Sequence, residues 1–464
     1  MSPEWIPELD PKLPKYRALY QAIRQDIDAG VLKVGQRLPT HRFLAEALGI
    51  TVGVVTKAYA QAVREGLLQS RVGSGTFVGP QNNGYSPFPQ EARAAAGIMD
   101  LSVSVVPPNP RRSDALGEAM AAISQDSERL FEGVQYQHAE GELQARHAMA
   151  LLMGLCGMPV EPSELMLTLG GQHGLALSCD VLLKAEGHLA AAEMGYQGIV
   201  GLARLKGLKL VSIPMKGGHM DVTAIESRAR QQRIDAIYVT PELHNPTGGT
   251  LSQWERERLV LLAEQFNFWI IEDVVHTAIG VDKPDFLYQL SPDRVVTVFS
   301  TSKLLAGGLR VGAIRVPESH RMQFSLAMKS HSWMVPPMMG QVVTHWMESG
   351  EPEKLLQWQR QEVIARQALA QRYLGRWLAH VPDAGCFFVW LNVDKPNTAA
   401  GLTLKLMEHG IKVGVGAPFW IGNGPAPETI RVCLSAARTR DELENALRRI
   451  AHIMAIQPEE FETV

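Results

Sequence analysis

Tyr16, Leu19, Tyr20, Ile23 and Ile27 recur at helical spacing and Gly30 follows as a stop signal, which predicts an amphipathic helix near residues 14 to 29. A short second helix is predicted after Thr40, a residue suited to cap it, with Phe43, Leu44, Ala47 and Leu48 inward and Gly49 ending it. After Thr51, the apolar set Val54, Val55, Ala58, Tyr59, Ala62 and Val63 predicts a third helix closing near Gly66. LLQSRVGSGTFV then alternates around a glycine-containing turn, the pattern of a two-stranded wing. Helix, short helix, tight turn, helix and wing is the order of a winged helix-turn-helix, assigned to residues 1–79; a small helical cap without a DNA role is the alternative.

Residues 80–99 are rich in Gly, Pro, Asn and Ala without apolar periodicity and read as a linker. Beyond them, runs such as AIYVT (236–240), FWIIED (268–273) and VVTVF (295–299) alternate with helical stretches, which implies parallel βαβ units and an α/β body over 100–464. A length of 464 residues suits one small module joined to one large domain, since single cores stop growing near about 250 to 300 residues.

Composition narrows the classes. With 46% apolar and 20% charged residues the chain buries a sizeable core, so wholesale disorder is excluded. Cys156, Cys179, Cys386 and Cys433 have neither metal-ligand spacing nor a disulfide framework, and read as packing residues in a reducing compartment. The start, MSPEWIPELDPKLPKY, has no basic segment leading into an apolar one, and no 18-residue apolar run occurs; a cytoplasmic protein that meets no membrane is expected. Residues 1 to 80 carry ten Lys and Arg against seven Asp and Glu, and the remainder 35 against 41. A basic module on an acidic body is the asymmetry expected where one end meets double-stranded DNA.

The outer, N-terminal side of the third helix offers Thr51, Val52, Gly53, Thr56 and Lys57 to base edges in a major groove. Arg42, Lys57, Arg64 and Arg71 are the phosphate-contact candidates, each with a solvated surface charge as its bland alternative. The stretch LPTHRFLAEALGITVGVVTKAYAQAVREGLLQSRVGSGTFV closely resembles the DNA-binding domain of the GntR family. It departs from that pattern on the recognition helix, where Val52 and Val54 stand in place of an Arg-x-Thr; an apolar Val52 suits a thymine methyl.

The body presents, in chain order, what pyridoxal 5'-phosphate demands: a lysine for the Schiff base, an anion at the ring nitrogen, donors at the ring hydroxyl and a phosphate cradle. Asp273 ends the strand IIED, at the strand end where open α/β sheets bind ligands. Lys303 lies in STSKLLAGGLR, where Ser300, Ser302 and Arg310 supply phosphate donors and Gly307 and Gly308 permit close approach. TLGGQHG places Gly170, Gly171 and Gln172 ahead of a helix, as a phosphate cradle or simply a turn. Asn245 in PELHNPTGG can donate to the ring hydroxyl or serve only as a turn former. Tyr196 in EMGYQG can stack on the ring or pack in the core.

In this order the motifs resemble fold-type I aminotransferases over about residues 100 to 464. The resemblance implies a PLP-dependent transferase fold, with a mostly parallel large subdomain to about 335 and a smaller C-terminal α+β subdomain from about 340 to 464. It makes Lys303 the Schiff-base lysine and Asp273 the ring-nitrogen partner. Asn245 becomes the hydroxyl partner and Arg310, Ser300 and Ser302 the phosphate binders. Arg431, in TIRVCLSAA, becomes the grip on a substrate carboxylate. Tyr136, with Gly141 and Arg146, matches the family segment whose tyrosine approaches the phosphate of a partner subunit, which implies a homodimer; Ala145 replaces the family's leucine. Three residues after Asp273 the family usually places a tyrosine, and this chain has His276, an imidazole expected to titrate near neutral pH.

A GntR-like reader joined to an aminotransferase-like body resembles the MocR subfamily. That resemblance implies a PLP-dependent transcriptional regulator in which a small amine or amino acid exchanges with Lys303 on the aldimine. The rivals are a working aminotransferase with an accessory N-terminal module and a DNA-binding protein with a cofactor-free body.

Overall fold

Leu44, Val55, Ala58 and Tyr59 converge on Leu19, Ile23 and Ile27 in the core of the first of two units, Met1–Ser86; the second is Pro87–Val464. The computed structural model describes residues 5–11, 13–28, 31–33, 36–64, 67–71, 75–78, 97–277, 283–422 and 424–456. The first unit comprises α1 (Lys15–Asp28), α2 (His41–Ala47), α3 (Val52–Arg64), β1 (Leu68–Arg71) and β2 (Gly75–Val78). As expected, Thr40 caps α2, its side chain accepting from the Phe43 amide at 3.3 Å. α2 and α3 are inclined at 119°, and the Tyr59 hydroxyl ties α3 to the Pro39 carbonyl at 3.0 Å. β1 and β2 pair antiparallel with Leu68 opposite Val78 and Arg71 opposite Gly75. The stop at Gly30, the closure near Gly66, the wing turn and most of the linker (79–96) fall outside the described residues.

One phase was misread in α2. Leu44 and Ala45 are its buried residues, while Phe43 and Ala47 face solvent. A seven-residue helix makes only two turns, so periodicity leaves its rotation to whatever it packs against, here α3.

The second unit is built on β4 (Leu165–Thr168), β5 (His188–Ala192), β6 (Lys209–Ile213), the short hairpin β7 (Met215–Lys216) and β8 (His219–Met220), β9 (Ala236–Val239), β10 (Trp269–Asp273), β11 (Val295–Ser300) and β12 (Gly312–Arg315). Seven of these form one sheet in the order β4-β12-β11-β10-β9-β5-β6, in which only β12 runs antiparallel to its neighbours. β4, β9, β11 and β12 are buried at every position, and so read as mostly apolar runs rather than alternating ones.

Met99–Leu101 forms β3, which pairs parallel with β14 (Ile411–Val415) in a second sheet ordered β13-β15-β14-β3, where β13 is Phe388–Asn392 and β15 is Thr429–Cys433. The division expected at 335 to 340 is therefore corrected at both ends. Residues 99–101 belong with the small sheet, a three-residue pairing no local pattern announces. The helix Pro337–Ser349 packs in the large core through Val342, Val343 and Trp346. The helix Glu351–Leu374 spans both cores, with Leu356 in the large one and Ala370 and Leu374 in the small one. Among the described residues no single helix is long and apolar enough to cross a membrane.

The helix Gly171–Leu182 lies against β11 and β12, and its approach depends on Gly174: a Cβ there would stand 2.8 Å from Ile314 Cγ2 and 3.0 Å from Val298 Cγ1. Gly174→Ala should therefore overpack this seam, lowering stability by about 1 to 3 kcal/mol in urea unfolding of the full chain. An unchanged midpoint would show that the helix can lift without cost.

Candidate functional site

β9, β10 and β11 end side by side, and Thr240, Asp273 and Ser300 stand at or just past their carboxyl ends. They border a cavity of about 220 Å³. Its lining includes Gly171, Gln172, Tyr196, Asn245, Asp273, His276, Ser300, Ser302, Lys303, Arg310 and Arg431, so the structure brings all these expected residues together. Val103, Ser104, Tyr238 and Thr240 line it too and escaped the sequence reading, because a tyrosine inside an apolar strand or a serine in a loop carries no local signal.

Asp273 is buried and held twice, accepting from the Tyr238 hydroxyl at 2.8 Å and the Val275 amide at 3.0 Å. Burial pushes its carboxyl above the usual carboxylate range against the pull of those two donors and of the Lys303 cation. A cation placed against it would restore the ionised form. The adjacent acid, Glu272, points to the opposite side of the strand. There the Leu287 amide (2.7 Å) and the Thr297 hydroxyl (2.8 Å) satisfy it.

Lys303 closes a single 3-10 turn, Thr301–Lys303, after β11, and its Nζ donates to the Ser104 carbonyl. Desolvation lowers its amine to about 8; Arg431 and Arg310 push the same way, and Cys433 and Asp273 oppose them. Near neutral pH the unprotonated share is therefore far above that of a surface lysine.

Phosphate-type donors cluster at one end. The Ser300 hydroxyl donates to Ser302 Oγ at 3.0 Å, and Arg310 Nη1 reaches the same oxygen at 3.4 Å. Arg310 takes φ +53°, a left-handed conformation unusual for a residue with a side chain, and is tied to the Leu169 carbonyl at 3.1 Å. Beneath it Gly170 caps the helix Gly171–Leu182 with φ +77°; a Cβ at Gly170 would stand 2.6 Å from Arg310 Nη2, and one at Gly171 2.8 Å from Val275 Cγ2. The helix N-terminus, with its free amides, thus opens into the cavity beside the guanidinium.

Arg431 stands at the other end on β15, only 5% exposed, between the rings of Phe388 and Phe419. It donates to Asn245 Oδ1 at 2.8 Å and to the Ser102 carbonyl at 2.9 Å, while its Nε is buried without a partner. Gln172 Oε1 and Ser104 Oγ are likewise buried and unpaired. Such groups are costly unless a further group satisfies them.

One expectation changes. His276 does not titrate near neutrality. Burial, followed by the Lys303 and Arg431 charges, holds its imidazole well below the ordinary range, and Phe387 and Phe388 meet its ring edge-on at 5.8 and 5.5 Å. Tyr136 is not part of this cavity: it is 82% exposed, beside Trp333 at 6.2 Å between ring centroids.

In the first unit Arg42, Thr51, Val52, Gly53, Thr56 and Lys57 are all exposed, Val52 by 43%. Lys57 Nζ lies 4.1 Å from the Tyr16 ring centroid, on the side of α3 that faces α1. Thr56 donates to the Val52 carbonyl at 3.0 Å and meets His41 Nδ1 at 3.1 Å, so His41 joins this face unforeseen. The side chains of Arg64 and Arg71 fall outside the described residues.

Residues 97–450 match the family model of aminotransferase class I and II, and residues 15–78 match that of the bacterial regulatory proteins of the gntR family. The uncharacterized HTH-type transcriptional regulator YdeF of Bacillus subtilis is 26% identical over 97% of this chain and 96% of its own. The probable rhizopine catabolism regulatory protein MocR of Rhizobium meliloti is 26% identical over 80% of each chain. Among solved structures, the α-aminoadipate aminotransferase LysN of Thermus thermophilus matches with a TM-score of 0.68 and 24% identity, covering 77% of this chain and 92% of its own. The fold is thus an N-terminal GntR-type helix-turn-helix ahead of a PLP-dependent aminotransferase fold, as the sequence led one to expect.

The buried state of His276 has a direct consequence. Its ring resonances should stay at the neutral-imidazole position across the neutral range in a pH titration followed by NMR. A midpoint near the ordinary value of about 6.5 would show that water reaches the ring.

Proposed function

The chain belongs to the class I and II aminotransferase family and, with a GntR-type domain ahead of that body, to the MocR subfamily; on that basis we propose that it is a DNA-binding transcriptional regulator that holds pyridoxal phosphate at Lys303 and senses a primary amine or amino acid there. One observation carries the reading: Lys303, its amine lowered to about 8, shares a cavity with Asp273, with the Arg310 and Ser302 donor cluster and with Arg431. The fit of the group rests on the donor chemistry, on the glycines at 170 and 171 that keep the cradle open, and on the unpaired Arg431 Nε and Gln172 Oε1.

Bound pyridoxal phosphate supplies an aldehyde carbon that joins one primary amine and can pass to another. Arg310, Ser300, Ser302 and the amides of Gly171 and Gln172 would hold its phosphate. Asp273, braced by Tyr238, would lie against the ring nitrogen and keep a proton there. Asn245, whose oxygen already accepts from Arg431, would turn its amide N–H toward the ring hydroxyl. His276, neutral and buried, would offer a neutral donor on the same side, and Tyr196 would cover the ring face. Arg431 would bind the carboxylate of an amino-acid effector in a bidentate pair, trading the Ser102 carbonyl for the incoming anion. Tyr136, exposed on the body, would approach the phosphate of a second subunit in a cytoplasmic homodimer.

On the DNA side, α3 would enter the major groove with Val52 against base edges, while Arg42 contacts phosphate. Regulation requires that the effector bind two DNA-binding states with different affinity. Because the lysine, the aspartate and both arginines are retained together, the rival of a working aminotransferase is separated by assay. Sustained turnover of an amino acid and a keto acid, with no specific footprint, would establish it and overturn the regulator.

Lys303→Ala should abolish the visible absorbance gained on adding pyridoxal phosphate and make operator binding indifferent to amines, while the footprint itself persists; an amine-dependent footprint in this variant would remove Lys303 from the sensing role. Arg42→Ala should weaken binding to any duplex and lower the slope of log K against log salt by about one unit. An unchanged slope would mean that Arg42 does not touch the phosphate backbone.

A further inference from the structure

Arg112 is buried and forms no ion pair among the described residues. Its guanidinium is given entirely to neutral oxygens: Nε donates to the Leu305 carbonyl at 2.6 Å, Nη1 to the Pro107 carbonyl at 2.8 Å and Nη2 to Gln359 Oε1 at 2.6 Å. Gln359, on the helix Glu351–Leu374, passes the chain on by donating from Nε2 to the Lys303 carbonyl at 2.9 Å. The Trp358 ring lies 5.8 Å from the guanidinium carbon. A cation withdrawn from water without a carboxylate is costly, and burial lowers this one to about 10. Its hydrogen bonds go to the turn that carries Lys303, to the Ser104–Pro107 segment and to the glutamine that bridges back to Lys303.

We infer that Arg112 and Gln359 are positioning residues for the Lys303 amine: they pin the main chain at residues 303 and 305, and the same guanidinium pins the segment whose Ser104 carbonyl accepts the lysine Nζ. Arg112 thereby ties the main chain two residues past the lysine to the main chain three residues past the acceptor of its amine, and Gln359 holds the Lys303 carbonyl itself. Gln359 couples this arrangement to the helix that spans the two cores of the body. The inference rests on Lys303 being the amine that carries the cofactor. Neither residue reaches the cavity, so neither binds cofactor or effector directly.

Pinning has a signature that simple packing lacks. The groups facing the Lys303 amine are Cys433, Arg431, Arg310, Asp273 and His276, and none changes when Gln359 is replaced. Gln359→Met removes both hydrogen bonds at similar volume. In the cofactor-free full chain, the pH dependence of Lys303 acylation, read by mass spectrometry after trace labelling, should have its midpoint near 8 in the wild type. In Gln359→Met it should rise by about half a unit or more as the amine gains water. After loading, pyridoxal phosphate should leave the variant about tenfold faster. A folded Gln359→Met with wild-type midpoint and off-rate overturns the inference. Should that variant fail to fold, Arg112→Lys, which keeps the charge but cannot span three oxygens, is judged by the same two measurements. If the wild type gains no absorbance with pyridoxal phosphate, the reading of Lys303 as cofactor amine falls, and the acylation midpoints alone decide the pinning.

Discussion

Three parallel strands end in step, and the chemistry of the body hangs on that register. Ile271 pairs with Val296 and Tyr238 on either side, and Asp273 faces Val298 at the last rung. The polar residues that follow each apolar run therefore emerge on one edge, where the backbone of a parallel sheet leaves room for a ligand. A one-residue slip of β10 would exchange Asp273 for Glu272, since successive side chains point to opposite faces. The carboxylate would then be lost from the cavity and an acid forced against the neighbours that Glu272 now satisfies.

Charge within the cavity is unbalanced, and this shapes every group in it. Lys303, Arg310 and Arg431 face one carboxylate, Asp273, which burial draws toward protonation. Burial, assisted by the surplus of cations, keeps His276 neutral and lowers Lys303. Main-chain and side-chain oxygens take the cations: Ser104 accepts from Lys303, and Ser102 and Asn245 accept from Arg431. A site arranged in this way is complementary to a phosphate at one end and a carboxylate at the other.

The N-terminal unit obeys simpler rules. Its core is a single apolar cluster closed by capping at Thr40 and by the Tyr59 hydrogen bond, and its outer surface is left to α3. Val52 is the exposed apolar residue at the start of that helix, while Lys57, which spacing alone offers to DNA, rests on Tyr16.

Much of this was legible along the chain. The three helices and the wing were readable because capping, glycine stops and period-3.6 apolar spacing are local. That Lys303, Asp273 and Arg310 line one cavity was readable because each lies in a short motif at or after a strand end. Tertiary structure alone decided the rest, since it depends on contacts between distant segments. Met99–Leu101 pairs with a strand over three hundred residues later. Tyr238 braces Asp273 from the adjacent strand, and Arg112 meets Gln359, which reaches the Lys303 carbonyl from over fifty residues away. His276 is neutral only because burial and two cations, brought together by folding, outweigh the intrinsic affinity of an imidazole for its proton.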